Sequence, residues 1–289
     1  MIEKAKAVLE LSRPFTLLAP LVGGLAFSYL GYALAGGDPW KIPAAAFALV
    51  LANYTSNVIN QIYDRDIDAV NKPNRPIPSG RISVDEASSL AIALTIAVMS
   101  ISYAAVGTAF GALVSVIMLF AWLYSSPPLR LRARLLWSNL AIATPRGALG
   151  ILAAYSSYAN PLGDAKLLVF ALGMAVYVFG GNTFKDFPDE AGDRMHGVRN
   201  FVTVYGREKA AKIASALSAA SIAPIALSLE RAALALPFAA LVCAQAVAAL
   251  KMPRARAGTE NTAAWTLFYL GMAAAFASYL IDRLAVLKP

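Results

Sequence analysis

Long stretches of this 289-residue chain carry no ionisable side chain, and that property decides what it can fold into. Hydrocarbon offers no partner to a backbone N–H or C=O, so a segment that crosses a bilayer must be a helix or part of a closed barrel. A ~30 Å layer takes about 20 residues of helix. Nine segments qualify: 15–35, 43–63, 87–107, 108–124, 136–156, 167–184, 210–229, 232–250 and 263–283. The breaks carry turn chemistry, at Gly36-Gly37-Asp38-Pro39, Pro76-Ile77-Pro78-Ser79-Gly80, Ser126-Pro127-Pro128 and Met252-Pro253. Gly107 alone divides the third segment from the fourth. Residues 15–35 lack a small-residue cleavage pattern and are too long for a signal h-region, so they read as a retained first span. The expectation is an all-α, polytopic membrane protein, a single domain over residues 1–289, with no soluble appendage longer than a loop.

The basic residues orient it. Numbering alternate loops from the N-terminus, one side holds 19 Lys and Arg, from Lys4 and Arg13 through Arg81, Arg134 and Arg199 to Arg256. The other holds five: Lys41, Lys166, Arg231, Arg283 and Lys288, with Arg146 left inside the fifth span. The positive-inside rule puts the N-terminus and the crowded side in the cytoplasm of a cell-membrane protein. The net charge of +8 lies in short loops rather than on a stripe, which argues against a nucleic-acid partner. Arg132, Arg134, Lys251, Arg254 and Arg256 read as topogenic. Lys72, Arg75, Arg130 and Lys185 adjoin acid clusters or a tight proline turn and read as functional. The one cysteine, Cys243, sits in an apolar run and the one histidine is His196, which excludes disulfides, Cys-based clusters and a histidine zinc site.

Two acid-rich segments sit at helix ends on that cytoplasmic side. Asn53, Asn57, Asn60, Asp64 and Asp68 follow one another at steps of 4, 3, 4 and 4, which keeps them on one helical face. Neighbours four apart can share a cation, but Asn60 to Asp68 spans roughly 12 Å of straight helix at 1.5 Å per residue. Either the helix unwinds there or more than one cation is held. Asn53 and Asn57 serve equally well as glue between helices. Asp66 and Arg65 point elsewhere. The second series, Asn182, Asp186, Asp189 and Asp193, repeats the geometry at steps of 4, 3 and 4, with Glu190 on a neighbouring face. Pro188 has no N–H to donate, so the helix kinks or restarts there, with Asp186 near the break.

Electrostatics limits what such a site can hold. Each unscreened like-charge pair at 4 Å costs about 4 kcal/mol at an effective dielectric near 20. An anionic ligand among these acids therefore needs intervening metal, with lysine and arginine on its outer oxygens. Oxygen-only ligands point to Mg²⁺ rather than zinc or copper. A diphosphate held by two Mg²⁺ ions fits these terms.

Asn60-x-x-x-Asp64-x-x-x-Asp68, the run Asn71-Lys72-Pro73-x-Arg75-Pro76-Ile77-Pro78-Ser79-Gly80 and Asp189-x-x-x-Asp193 resemble the UbiA superfamily of intramembrane prenyltransferases. Arg13-Pro14, Tyr124-Ser125-Ser126-Pro127-Pro128-Leu129-Arg130 and Gly197…Tyr205-Gly206 extend the likeness over most of the chain. Many relatives carry Glu directly before the glycine; here Ala191 stands there and Glu190 one earlier. The resemblance implies nine membrane helices around a central cavity open to lipid, with cytoplasmic cap loops. It implies that Asn60, Asp64 and Asp68 hold one metal contact with an allylic isoprenyl diphosphate, and Asp189 and Asp193 the other. Lys72 and Arg75 would clamp the diphosphate, with Tyr124 and Arg130 near the reacting end; Lys185 and Asp186 read as substrate contacts from their place in the second acid cluster. Tyr54, Phe120, Trp122 and Tyr177 are candidates to shield a carbocation, though packing explains each as well. Arg146, mid-span behind Pro145, is costly unless it faces the cavity, where it could bind an acidic acceptor.

The acceptor implied is an aromatic one such as 4-hydroxybenzoate. The run from Arg75 to Ile82 is equally similar to the archaeal enzyme that adds a second geranylgeranyl chain to a glycerol phosphate, and chlorophyll synthases share it. A CDP-alcohol phosphotransferase would need a DGxxAR segment, which is absent. An ion-coupled transporter would place its acids near the midplane within an inverted repeat, and none is visible.

Overall fold

A computed structural model describes residues 2–254 and 261–287, all helix, turn and loop, with no strand among them. Two basic residues of the charge count, Arg256 and Lys288, lie outside the described residues. Among the described residues eight helices are long and apolar enough to cross a membrane by length and composition.

The short α1 (Ile2–Ser12) leads into α2 (Pro14–Ala35), whose first residue is a proline, in the first turn where a helix N–H has no intrahelical partner. α3 (Lys41–Tyr63) and the seven-residue α4 (Arg65–Asn71) follow. α5 (Val84–Ser100) opens on a reciprocal capping box between Ser83 and Glu86 and ends in a π-helical turn, Ile101–Val106. α6 (Thr108–Ser125) begins directly after Gly107, whose φ of 141° is open to glycine and strained for any other residue. One glycine is therefore a sufficient break, as expected.

The expected fifth span is a helical run in three pieces, α7 (Leu135–Ala143), a π turn over Thr144–Leu149, and α8 (Gly150–Ser156). It is not among the eight. Ser138, Asn139, Thr144, Pro145 and Arg146 make it too polar, and the π turn falls where Pro145 withholds its N–H. α9 (Ala165–Gly181) is capped by the Asp164 side chain and runs on through a 3-10 turn, Asn182–Asp186. Short α10 (Glu190–Met195) and α11 (Phe201–Tyr205) precede α12 (Arg207–Ala220) and α13 (Ile222–Leu227). α14 (Leu236–Lys251) and α15 (Thr262–Leu287) complete the bundle.

α2 packs on α3, α8 and α15; α3 on α5 and α6; α9 on α12, α7 and the π turn; α14 on α12 and α15. The apolar core between them is rich in aromatic rings. Phe170 stacks on Tyr279 at 4.3 Å between centroids, and Phe27 meets Phe276 edge-on at 5.3 Å. Such ring pairs add about 0.5–1.5 kcal/mol beyond the area they bury.

At the end of the bundle remote from the acid motifs, the turn before α14 is fastened to α15. Asp282, fully buried, accepts from the backbone N–H of Glu230 at 2.7 Å and of Arg231 at 3.2 Å, and from Arg231 Nε at 3.1 Å. Hydrogen bonds to a charged group contribute about 1.5–3 kcal/mol. Asp282→Ala should therefore lower unfolding stability in detergent by about 2–3 kcal/mol while leaving ligand affinity at the acid motifs unchanged, as thermal melts with and without ligand will show.

Candidate active site

Both acid motifs end their helices by breaking them. Tyr63 is the last residue of α3, Asp64 stands at the junction (φ −101°, ψ 8°) and α4 restarts at Arg65. Successive Asn60, Asp64, Asp68 and Lys72 remain linked by i→i−4 backbone bonds, Asp68 N–H to Asp64 O at 2.7 Å among them. On the other side α9 tightens into its 3-10 turn, stops ahead of Pro188 and restarts as α10 after Asp189. The restart at the proline is as expected.

The two restarts meet. Asn71 Nδ2 donates to the backbone O of Asp189 at 2.8 Å, and Gly192 N–H donates to Asn71 Oδ1 at 2.8 Å. A Cβ on Gly192 would lie 2.6 Å from that carboxamide, so only glycine lets α4 and α10 approach this closely. Lys72 crosses to pair with the Asp189 carboxylate, and Arg75 pairs with Asp68 at 2.6 Å. Arg132, read as topogenic in the sequence, is the largest correction. It is buried and bridges the motifs, Nη1 to Asp64 Oδ1 at 2.5 Å and Nη2 to Asp193 Oδ1 at 3.0 Å. Its spacing two residues after Arg130 was visible; its convergence on two acids from different helices was not.

A cavity of about 420 Å³ opens beneath this junction. Its polar wall includes Asn60, Asp64, Asp68, Lys72, Arg75, Asp189, Lys185 and Tyr124, and Arg146 stands on it as well. Three expected site residues are not on that wall. Asp193 lies behind Arg132, its second oxygen accepting from Asn200 Nδ2 at 2.8 Å. Asp186 is buried against Lys185 at 2.6 Å. Arg130 stands outside, 3.6 Å from Asp64, donating to the Tyr63 carbonyl at 3.3 Å. Of the four candidate aromatic shields only Phe120 lines the cavity. Tyr54 donates to Val8 O, Trp122 packs against the apolar cluster that includes Val58 and Ile59, and buried Tyr177 donates to Gln245 Oε1 at 2.5 Å. Glu190 is a clamp rather than a ligand, tied to Arg194 at 2.9 Å and Arg207 at 3.1 Å.

Arg13, noted in the sequence only as a likeness, contributes a guanidinium to the wall, donating to Asn60 Oδ1 at 3.0 Å. It and Arg130 are the two non-glycine residues with positive φ among the described residues, 50° and 39°. Left-handed backbone at such residues stores strain and clusters at functional sites. Arg146 donates to Asn53 Oδ1 at 2.9 Å. Asn57 donates to Ser12 O and Thr16 Oγ1 and holds helices together. Neither Arg13 nor Arg146 pairs with a carboxylate among the described residues.

The charge states follow from these contacts. Burial opposes the Asp189 carboxylate, but the Lys72 ammonium outweighs it and holds the carboxyl below its ordinary range. Burial pushes Asp193 up to about 6 against the pull of Arg132. Burial brings Arg13 down to about 10, which leaves it charged at neutral pH.

Magnesium fits this donor set. The ligands are carboxylates and carboxamides, and among the described residues no three His, Cys, Asp or Glu side chains group tightly enough to chelate an ion alone. Mg²⁺ characteristically takes one or two carboxylates and completes its shell with water and substrate phosphate. Asp64 and Asp68 from one motif and Asp189 from the other are placed to offer such partial shells.

The sequence pattern of the UbiA prenyltransferase family matches residues 17–276. Among curated relatives, the bacteriochlorophyll synthase 33 kDa chain of Cereibacter sphaeroides is 32% identical over 225 residues, covering 75% of this chain and 72% of that one. The digeranylgeranylglyceryl phosphate synthase of Natronomonas pharaonis is likewise 32% identical over 225 residues, covering 74% of each. A solved UbiA homolog from Archaeoglobus fulgidus, bound to GPP and Mg²⁺, shares the fold with a TM-score of 0.71 at 21% identity, over 94% of this chain and 99% of that one.

Breaking a buried ion pair on one side costs about 3–5 kcal/mol because the partner stays behind uncompensated. Arg132→Gln leaves two such partners, Asp64 and Asp193. Thermal unfolding should fall by at least that amount, and Asp193→Asn in the same chain should recover part of the loss.

Proposed function

The chain belongs to the UbiA prenyltransferase family, and from that premise we propose that it transfers a prenyl chain from an allylic diphosphate to an acidic, hydroxyl-bearing acceptor, releasing diphosphate. It is an enzyme of the class that moves alkyl groups other than methyl, and an integral membrane protein with several spans. The observation that carries the finer reading is the meeting of Asp64 and Asp68 with Asp189 on one cavity wall, each acid matched by a basic residue.

Asn60, Asp64 and Asp68 would hold one Mg²⁺ and Asp189 the other. Bound there, magnesium neutralises the diphosphate and eases its departure. Lys72 and Arg75 give up Asp189 and Asp68 to take phosphate oxygens, and Arg13 faces the same charge from α2. The C1–O bond to diphosphate breaks as positive charge develops on C1, and fixed cations around the leaving group lower that barrier without reorganising. Phe120 and the apolar wall at Ile117, Leu49 and Phe276 take the chain and keep water from C1. Asp193 acts through Arg132, which it holds against Asp64.

Arg146 supplies the acceptor end. A guanidinium on the cavity wall that bonds to a carboxamide and pairs with no carboxylate among the described residues suits a carboxylate or phosphate. A compact aromatic hydroxy acid such as 4-hydroxybenzoate suits a cavity of about 420 Å³. A geranylgeranylglyceryl phosphate acceptor is the second reading, favoured by the 32% identity to the Natronomonas enzyme. We take the run from Leu135 to Ser156 as a ninth span, which closes the helices around the cavity and puts the acid motifs and the N-terminus on the cytoplasmic face.

Purified protein supplied with Mg²⁺, geranylgeranyl diphosphate and the two acceptors in parallel should prenylate one of them and release diphosphate. Asp64→Asn and Asp189→Asn should each lower kcat/KM by about 100-fold or more. Arg146→Ala should raise the acceptor KM by about tenfold and leave the donor KM alone; transfer untouched by all three changes would refute the reading. Orientation is checked in a Cys243→Ser background. An impermeant maleimide should label Leu162→Cys on intact cells and Met195→Cys only after permeabilisation, both positions being exposed.

A further inference from the structure

Asn182 is 1% exposed, lines the cavity, and has no hydrogen-bond partner for either its carboxamide nitrogen or its oxygen. Nearby asparagines do not share that condition. Asn57, Asn60, Asn71 and Asn139 all bond to protein groups. A buried carboxamide open at both ends is complete only with a ligand or a water that can accept from one atom and donate to the other.

Its direction is set by its neighbours. Asn139 Nδ2 donates to Phe179 O at 2.6 Å and to Thr183 Oγ1 at 2.9 Å, fixing the turn on both sides of Asn182. Phe184 is fully buried, and its carbonyl accepts from Asn261 Nδ2 at 3.1 Å. These bonds hold the turn in place on either side of Asn182. Along the helix Asn182 lies one turn before Lys185 and two before Asp189, on the membrane side of the charged rim.

That depth and that neutrality separate it from the phosphate-binding groups, which are cationic and sit at the rim. We infer that Asn182 is the positioning residue for the acceptor's hydroxyl group, accepting its O–H with Oδ1 and donating to its oxygen with Nδ2. The inference rests on the prenyl-transfer reading and adds to it where the nucleophilic end lies, opposite the anionic end at Arg146. A carboxamide cannot take up the proton, so its role is orientation alone. As the acceptor oxygen or the ring carbon it activates bonds to C1, the proton departs to another base or to water.

The test compares Asn182→Ala and Asn182→Ser with the unaltered enzyme. Steady-state transfer is measured with geranylgeranyl diphosphate and whichever of 4-hydroxybenzoate and geranylgeranylglyceryl phosphate the enzyme uses. Geranyl diphosphate binding with Mg²⁺ is measured separately by calorimetry, with thermal melts to confirm folding. Asn182→Ala should raise the acceptor KM at least tenfold and keep geranyl diphosphate affinity within twofold. Asn182→Ser, which restores one hydroxyl partner, should recover part of the acceptor KM. A weaker geranyl diphosphate affinity with an unchanged acceptor KM would assign Asn182 to the diphosphate and overturn the inference. So would an unchanged profile in both variants. If the unaltered enzyme prenylates neither acceptor, the functional reading itself fails and takes this assignment with it.

Discussion

A carboxylate held out of water has to be matched by a cation, and in this protein that requirement shapes the whole rim of the helix bundle. Asp64 and Asp193 share Arg132, Asp68 has Arg75, Asp189 has Lys72 and Asp186 has Lys185. Two of these cations, Lys72 and Arg132, reach an acid on a distant segment, which makes their ion pairs the staples that bring the two motifs together. Desolvation makes such pairs poor sources of net stability. Their value lies in readiness, since each wall-facing acid is matched by a cation that an incoming anion can claim.

The helix breaks serve the same end. A straight helix would carry Asn60 and Asp68 too far apart along its axis to face one ligand. Here the i→i−4 backbone bonds run on through the break at Asp64, and Asn60, Asp64 and Asp68 share one cavity wall with Asp189, which stands at the restart after Pro188. Gly192 then permits the two restarts to touch through Asn71. Beneath this rim the wall carries Asn182, Asn53 and the Arg146 guanidinium beside apolar residues such as Leu49, Ile117 and Phe276.

Much of this was legible in the sequence because hydropathy and turn chemistry act locally. Eight of the expected spans coincide with long apolar helices within a few residues, and even the single-glycine break at Gly107 held. The fifth segment is irregular because Pro145 and Arg146 sit inside it, a cost the sequence displayed without saying how the backbone absorbs it. Acid spacing likewise located the motifs. Partnership was not legible, since which cation meets which acid depends on helices far apart in the chain. Arg132 was taken for a topogenic charge on that account, and Asp193 and Asp186 were expected at the ligand although they stand behind the wall. Asn182 was visible as the first member of its series, but its lack of a partner is a property of the folded state alone.

On the proposed function, the acids, neutralised by basic residues in the resting protein, accept an allylic diphosphate only together with a divalent cation. Isothermal titration of the detergent-purified protein with geranyl diphosphate, in Mg²⁺ and in EDTA, tests it most directly. Binding should saturate with Mg²⁺ and weaken by about 100-fold or more without it. Equal affinity in the two buffers would contradict it, because the basic residues alone would then be holding the diphosphate.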